Sequence, residues 1–199
     1  MQKINIIGYS GHSYVCIETA KLNNIVVEGY YDIESKINNP YNLKYLGLEG
    51  KTADFQKVFI CIADNEIRRT IYNKLSKFDF KINLIHPDSI ISSSTKFKSQ
   101  TLVCAGSIIN PQVKIGKGCI INTGSIIEHE CQIGNFTHIG PGSVLLGDVK
   151  IGDGSFIGAN SVIKQGLKIG NNVVVGAGAV VIRNIPDNTK VVGNPSKKI

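Results

Sequence analysis

The chain has 199 residues, with 22 Lys and Arg against 15 Asp and Glu, which gives a formal net charge of +7 at pH 7. This length suffices for one large domain or two small ones, and no apolar run approaches the roughly eighteen residues of a membrane-spanning helix. The basic residues are scattered and not interleaved with aromatics, so the charge favours small phosphorylated ligands over nucleic acid.

The first half of the chain alternates between strand-like and helix-like segments. The pattern predicts strands at 3–9, 25–31, 58–63 and 81–86, and helices at 12–22 and 65–76. Such alternation is typical of a parallel sheet with right-handed crossovers. We therefore expect a small Rossmann-like domain over residues 1–86 and a second domain over residues 87–199.

A glycine-bearing loop, GYSGHS at 8–13, follows the first predicted strand. Such a loop can bring backbone N–H groups and a helix N-terminus toward an anion, which favours a diphosphate ligand. Ser10 and Ser13 stand where a dinucleotide-binding motif has glycines, so a nicotinamide cofactor is poorly supported. Asp32, which follows the second strand, could accept hydrogen bonds from a ribose or a base. A capped turn beside a solvated aspartate is the alternative left open.

The second half repeats an apolar residue every six positions. A prism with three short strands per coil explains this period, because each flat face then receives one inward side chain every six residues. The seventeen successive stations are Ile85, Ile91, Phe97, Val103, Ile109, Ile115, Ile121, Ile127, Ile133, Ile139, Leu145, Ile151, Ile157, Ile163, Ile169, Val175 and Val181. The sequence therefore predicts a triangular parallel β-helix.

Two further positions of the six-residue repeat support this fold. Glycine often follows the apolar station, where we expect corners that need unusual backbone angles. Small or β-branched residues stand four positions after the station, where they can fill the corners; Cys119 and Cys131 are among them. The five cysteines form no CxxC pair, so we interpret them as structural thiols. Because the N-terminus opens directly into a strand, without a signal-peptide pattern, we expect a soluble cytoplasmic protein.

Two histidines lie in the middle of the repeat, and neither occupies an inward station. His129 is flanked by two glutamates, and His138 directly precedes the station Ile139. A histidine beside a carboxylate can act as a general base. Glu130 could orient His129 only at a corner or bulge, since adjacent strand residues point to opposite faces. Taken alone, such a histidine can equally be an ordinary surface residue.

The chain resembles the NeuD/PglD family of hexapeptide-repeat sugar acetyltransferases over nearly its whole length. The motifs that carry the resemblance are GYSGH at 8–12, FICIADNEIR at 59–68, LIHPDSIIS at 84–92, NTGSIIEHEC at 122–131 and VVGNPSKKI at 191–199. It is most similar to members that acetylate UDP-4-amino sugars on the route to bacillosamine. The resemblance implies a left-handed β-helix, a homotrimer with active sites between subunits, and acetyl-CoA as cosubstrate.

The resemblance also implies roles for individual residues. His129 would be the general base, Glu130 its orienting carboxylate and Asn122 a residue of the same pocket. The acetyl-CoA side would comprise His138, Gly147, Gly158, Ala159, Gly176, Ala177 and Lys197. The nucleotide-sugar side would comprise Gly8, Ser10, Gly11, His12, Asp32 and Ala63. Tyr9, where the family often has Ala or Gly, and the single acidic residue at Asp32 depart from the family pattern.

Together with these residues, the resemblance implies direct acetyl transfer to the 4-amine of a nucleotide-linked amino sugar, UDP-linked by preference, without a metal, a nucleic acid or a membrane partner. An O-acetyltransferase of sialic acid or a related sugar could use the same base. A non-catalytic hexapeptide scaffold is a further alternative, although it would not need an outward His-Glu pair together with a diphosphate loop. A zinc site is not favoured, because the middle of the prism lacks a third histidine. The sequence does not fix the nucleobase, the sugar or the glycan pathway.

Overall fold

The computed structural model describes residues 1–48, 57–75 and 81–199, which form a small α/β domain and a long parallel β-solenoid. None of the helices in those ranges has the length and apolar character needed to cross a membrane. The predicted combination of a Rossmann-like sheet and a hexapeptide-repeat solenoid is confirmed.

The N-terminal domain is a four-stranded parallel sheet with two helices. Its elements are β1 (Gln2–Ile7), α1 (Gly11–Leu22), β2 (Ile25–Tyr31), β3 (Lys44–Tyr45), β4 (Val58–Ile60) and α2 (Asn65–Lys74). The strand order is β3-β2-β1-β4, so the direction of winding reverses between β1 and β4. In open parallel sheets, ligands bind at the carboxyl ends of the two strands that flank this reversal. The loops after β1 and β4 therefore border the expected ligand crevice.

Two details of this domain differ from the sequence prediction. The segment 81–86 is not a strand of the N-terminal sheet: Leu84–Ile85 pairs with Leu102–Val103 and forms the first rung of the solenoid. Ile85 is itself the first station of the six-residue repeat, so it belongs to that pattern. The short strand β3 was not predicted, because the residues around it show no alternation of apolar and polar side chains. The last predicted residue of the second helix, 76, lies outside the described residues.

The solenoid is a three-sided prism whose inward stations from Val103 onward are buried in one continuous core, against which the partly buried Ile85, Ile91 and Phe97 pack. The face that contacts the N-terminal domain, here called the docking face, contains Leu84–Ile85, Leu102–Val103, Ile120–Ile121, His138–Ile139, Phe156–Ile157, Val174–Val175, Lys190–Val192 and Lys197–Lys198. The apolar face contains Ile90–Ile91, Ile108–Ile109, Ile126–Ile127, Val144–Leu145, Val162–Ile163 and Val180–Val181. The lysine face contains Lys96–Phe97, Lys114–Ile115, Gln132–Ile133, Lys150–Ile151 and Lys168–Ile169.

The corners of the prism use two kinds of glycine, and only one of them requires an unusual backbone angle. The glycines directly after the stations have ordinary φ; a Cβ at Gly116 or Gly134 would lie 2.7 or 2.6 Å from a backbone nitrogen of the next coil. Our expectation of unusual angles there was wrong, because close approach of successive coils is what excludes a side chain. Positive φ occurs two residues later, at Gly118 (62°) and also at Glu130 (63°).

The outward side chains give each face a different chemistry. The apolar face presents only Ile and Val outward, from Ile90, which is 67% exposed, to Val180. The lysine face presents four lysines and one glutamine. The docking face presents Leu84, Leu102 and Ile120, which are buried against the N-terminal domain. His138 is the next outward residue in that column, and it therefore stands at the edge of the domain contact.

Candidate functional site

His129 lies at the corner between the apolar face and the lysine face, and its Nδ1 is 3.0 Å from Oε2 of Glu130. The left-handed backbone of Glu130 (φ 63°) turns two adjacent side chains toward each other, which meets the corner condition predicted from the sequence. An ionised carboxylate only accepts, so Nδ1 carries the hydrogen and Nε2 keeps a free lone pair. The side chains are 58% and 64% exposed, which leaves His129 accessible to a substrate.

Gly147 lies against the imidazole ring of His129. It belongs to the next coil of the solenoid, eighteen residues further along the chain. A Cβ at this position would stand 2.6 Å from Cε1 and 2.7 Å from Nε2 of His129. The absence of a side chain therefore allows the ring to lie flat against the next coil. Within the described residues, the N–H of Gly147 makes no backbone hydrogen bond, so it remains available to an oxygen of a ligand.

Asn122 does not join His129 within one chain; it contacts His138 at the corner between the docking face and the apolar face. Oδ1 of Asn122 accepts the N–H of Thr123 at 2.8 Å, which turns the amide Nδ2 toward Nε2 of His138 at 3.0 Å. An amide nitrogen only donates, so Nε2 of His138 is an acceptor and the imidazole is neutral. The chain thus carries two histidine clusters, on the two corners that border the apolar face.

His138 is buried between the two domains, where its neighbours disfavour a positive charge. It is 6% exposed, its ring packs edge-on against Phe156 at 5.0 Å, and its centroid is 6.4 Å from that of His12. Burial lowers the pKa of His138 to about 3, with further lowering by Arg68 and His12. Burial and Arg68 likewise lower the pKa of His12 to about 4.

The predicted phosphate loop leads from β1 into α1. Gly8 has a φ of 87°, and a Cβ there would meet Ile62 at 2.7 Å, so the residue has to be glycine. Oγ of Ser13 accepts the N–H of Ser10 and donates to its carbonyl, which fixes the turn before the helix. Gly11 and His12 form the first turn of α1, where N–H groups have no intrahelical partner and can bind an anion.

Asp32 holds this loop from the neighbouring strand. Its Oδ2 accepts the N–H of Tyr9 at 3.0 Å, and its Oδ1 accepts the N–H of Ile33 at 2.7 Å. Nζ of Lys36 lies 3.4 Å from the same Oδ1 and forms an ion pair with it. The hydroxyl of Tyr9 donates to Oδ1 of Asn39 at 2.7 Å, so the unusual residue of the loop is itself anchored. Asp32 therefore has a structural role in shaping the loop, beside any contact with a nucleotide.

A cleft of about 640 Å³ lies above the domain contact. Its lining residues come from the loop after β4, the start of α2 and the docking face: Ala63, Asp64, Asn65, Glu66, His138, Gly154, Phe156, Asn172 and Val174. Ala63, expected on the nucleotide-sugar side, and His138, expected on the acetyl-CoA side, therefore line the same cleft. In the ranges that the structure describes, no group of three His, Cys, Asp or Glu side chains is arranged to hold a metal ion.

The predicted acetyl-CoA residues Gly158, Ala159, Gly176 and Ala177 line up along the corner that carries Asn122. Gly158 is buried, and a Cβ on it would stand 2.5 Å from the backbone nitrogen of Ala177. Lys197 is in the last strand, which pairs antiparallel with Lys190–Val192 at the end of the docking face, and its side chain is exposed.

Arg68 is a functional candidate that the sequence analysis did not identify. It is 2% exposed, and its guanidinium contacts both domains near His12 and His138. The FICIADNEIR motif includes this residue, but nothing in the spacing distinguishes it from the neighbouring Arg69, which is partly exposed.

Comparison with known proteins agrees with this architecture. Residues 3–75 match the family described as PglD N-terminal domain, residues 130–165 match bacterial transferase hexapeptide (six repeats), and residues 148–183 match hexapeptide repeat of succinyl-transferase.

Three solved structures illustrate the similarity along the whole chain. A point mutant of perosamine N-acetyltransferase from Caulobacter crescentus, in complex with CoA and GDP-perosamine, is 30% identical, with 100% of this chain and 97% of that chain covered and a TM-score of 0.93. The acetyltransferase domain of PglB from Neisseria gonorrhoeae, in complex with acetyl coenzyme A, is 29% identical (100% and 99% covered, TM-score 0.91). WeeI from Acinetobacter baumannii is 26% identical (100% and 100% covered, TM-score 0.86). The chain therefore belongs to the PglD-like family of hexapeptide-repeat sugar acetyltransferases.

Proposed function

We propose that this protein transfers the acetyl group of acetyl-CoA to the amine of a nucleotide-linked amino sugar. The observation that carries the proposal is the His129–Glu130 pair, held at a left-handed corner above Gly147 in a chain that also contains a nucleotide-type crevice. The Caulobacter relative binds CoA and GDP-perosamine, and the Neisseria relative binds acetyl coenzyme A.

His129 is the general base of the proposed reaction. Its Nε2 takes a proton as the sugar nitrogen attacks the thioester carbonyl, while Glu130 stabilises the imidazolium through Nδ1. A C–N bond forms, the C–S bond breaks, and the CoA thiolate leaves or recovers the proton from His129. The N–H of Gly147 donates to the oxyanion of the tetrahedral intermediate.

The cysteines have no part in this mechanism. All five are buried free thiols, and burial raises the pKa of Cys104 and Cys119 to about 12 and that of Cys131 to about 11. A thiol acts as a nucleophile in its thiolate form, which these environments disfavour. Direct attack by the amine on acetyl-CoA needs no acyl-cysteine intermediate.

The nucleotide-linked sugar binds at the crevice between β1 and β4, with its diphosphate on the N–H groups of Gly11 and His12. The pantetheine arm of acetyl-CoA lies along the corner formed by Gly158, Ala159, Gly176 and Ala177, where small residues permit close approach. Lys197 meets the phosphates of CoA at the end of that corner. We favour a UDP-linked 4-amino sugar as acceptor, with a GDP-linked sugar as the nearest competitor.

The active site requires a second subunit, because the two histidine clusters lie on different corners of one prism. An unpartnered apolar face is a strong candidate for an interface, and the two corners border that face. When three prisms pack their apolar faces around a threefold axis, the His129 corner of each meets the Asn122 corner of its neighbour. The proposed enzyme is therefore a homotrimer, and its use of acetyl-CoA suits the cytoplasm.

The test measures thiol release from acetyl-CoA with UDP-, dTDP- and GDP-linked 4-amino sugars, and with free sialic acid as the competing acceptor. Turnover with one nucleotide-linked amine, together with an acetamido product in the mass spectrum, would support the proposal and identify the nucleotide. Turnover only with free sialic acid would replace it with O-acetylation. No turnover with any acceptor, in a protein that is folded and trimeric, would favour a non-catalytic scaffold.

A further inference from the structure

Arg68 is a buried cation without a buried anion. Its donors reach five oxygen atoms: the carbonyls of Ile62 and Ala63 at 2.9 Å, Oδ1 of Asn65 at 2.7 Å, and the carbonyls of Gly118 at 2.7 Å and Phe136 at 3.3 Å. No carboxylate in the described part of the chain lies within ion-pair distance of it. Burial lowers the pKa of Arg68 to about 10, so it stays charged at neutral pH. Burying an unpaired charge is costly, so its retention calls for an explanation.

The five oxygen atoms belong to two different domains. Ile62 and Ala63 form the loop that borders the ligand crevice after β4, and Asn65 begins α2. Gly118 and Phe136 stand at the same corner of the prism, between the lysine face and the docking face, one coil apart. The planar, forked shape of guanidinium suits several oxygen atoms in fixed directions, which the single ammonium of a lysine cannot reproduce. Arg68 therefore fixes the crevice loop against the prism.

The charge of Arg68 also acts on His138, which is buried, and on His12, which is partly buried. After burial itself, the guanidinium is the next cause that lowers the pKa of both His138 and His12. His138 has to remain neutral to accept the amide hydrogen of Asn122, and a protonated imidazole would lose that contact. The side chain that fixes the crevice loop thus also lies close enough to both histidines to disfavour a positive charge there.

We propose that Arg68 is a positioning residue: its guanidinium, hydrogen-bonded to oxygen atoms of both domains, fixes the crevice loop against the prism beside the His12–His138 pair. This inference rests on the proposed function for its kinetic consequence alone. The docking of the loop and the neutral histidines can be measured without any substrate.

Two substitutions separate shape from charge. Arg68→Lys keeps a cation but removes the fork, and Arg68→Met removes both at similar length. Arg69→Met is the matched control, because Arg69 lies on the same helix and also reaches the prism, through Asn172 at 3.2 Å, but does not contact the crevice loop. Thermal unfolding first establishes that each variant is folded.

The kinetic readout is kcat/KM with the acceptor that the thiol-release assay identifies. We expect Arg68→Lys to lower it by roughly 10-fold to 100-fold, mainly through a higher KM for the nucleotide-linked sugar, while Arg69→Met stays within about twofold. An Arg68→Lys enzyme with the kinetics of the wild type would overturn the positioning role.

The second readout is the ¹⁵N chemical shift of the imidazole rings in histidine-labelled protein during a pH titration. We expect His138 to remain neutral in Arg68→Lys and to titrate at a higher pH in Arg68→Met. An unchanged His138 titration in a folded Arg68→Met protein would show that the loop and the prism keep His138 buried without Arg68, and would overturn the positioning role. If the wild type acetylates no sugar, the proposed function fails, whereas this titration still decides whether Arg68 holds the crevice loop against the prism beside the histidines.

Discussion

Two histidines of the same prism, nine residues apart, have opposite environments. His129 is exposed, hydrogen-bonded to a carboxylate and free at Nε2, whereas His138 is buried, hydrogen-bonded to an amide and close to a guanidinium. The first environment suits a group that gains and loses a proton, and the second suits a group that stays neutral and holds its neighbours. The partners of an imidazole, and not its place in the repeat, therefore decide its chemistry.

Among the substitutions that test this difference between the two histidines, replacement of His129 should have the largest effect on turnover. We expect His129→Gln to lower kcat by about 10²-fold to 10⁴-fold, because the substitution removes the base and retains a polar side chain of similar size. The melting temperature should change little, since the side chain is exposed. His86→Gln, a histidine at the first coil of the prism, is the control and should keep wild-type turnover. Turnover by His129→Gln near that of the control would contradict the assignment of the base.

An intermediate effect is expected at Gly147, which supports the exposed histidine. In Gly147→Ala, the new Cβ would lie 2.6 Å from Cε1 of His129, so the ring has to move. We expect kcat/KM to fall by roughly 10-fold to 100-fold, the usual consequence of a displacement of about 1 Å.

The double variant His129→Gln/Gly147→Ala tests whether the glycine acts through the ring. It should be no slower than His129→Gln alone if Gly147 only positions the base. A further loss in the double variant would assign to Gly147 an effect on the transition state that is independent of His129.

The smallest expected effect is on the pH dependence of the free energy of unfolding, to which the buried His138 contributes. An unfolded histidine binds a proton below about pH 6.5, whereas folded His12 and His138 resist protonation down to about pH 4 and about 3. The unfolded state therefore holds more protons between about pH 6.5 and 4, and the free energy of unfolding falls as the pH is lowered through that window. Each such group contributes at most about 1.4 kcal/mol per pH unit.

Denaturant unfolding at pH 7 and pH 5, at one fixed protein concentration, measures this dependence. We expect His138→Gln to reduce the loss of stability between the two pH values, because one titrating group is removed. Equal losses in the wild type and in His138→Gln would show that His138 does not remain neutral in the folded protein.

The sequence predicted most of the fold because its signal was strictly periodic. The six-residue stations specify the prism and its core, and the HEC motif at 129–131 falls on a corner that makes the His129–Glu130 contact. What it missed depends on distant contacts: Leu84–Ile85 joins the prism, and Arg68 is buried although its neighbour Arg69 is partly exposed. No local pattern records which of two adjacent arginines on a helix faces another domain.

The placement of Asn122 shows the same limit at the site. The sequence placed Asn122 in one pocket with His129, but within one chain its amide contacts His138 on a different corner. A linear motif cannot tell whether two residues meet in the same subunit or across an interface. In the proposed trimer, packing of the apolar face between the two corners brings the Asn122 corner of one subunit to the His129 corner of its neighbour.

The most direct test of the account is complementation between two inactive variants, His129→Gln and Asn122→Leu, co-expressed with different tags and purified as mixed assemblies. If the His129 corner of one subunit works with the Asn122 corner of its neighbour, each mixed trimer retains one intact site out of three. We predict that the mixture recovers up to about one third of wild-type turnover, with a trimeric mass in light scattering. Mixed trimers as inactive as their parents would show that both clusters act within one chain, and would contradict the account.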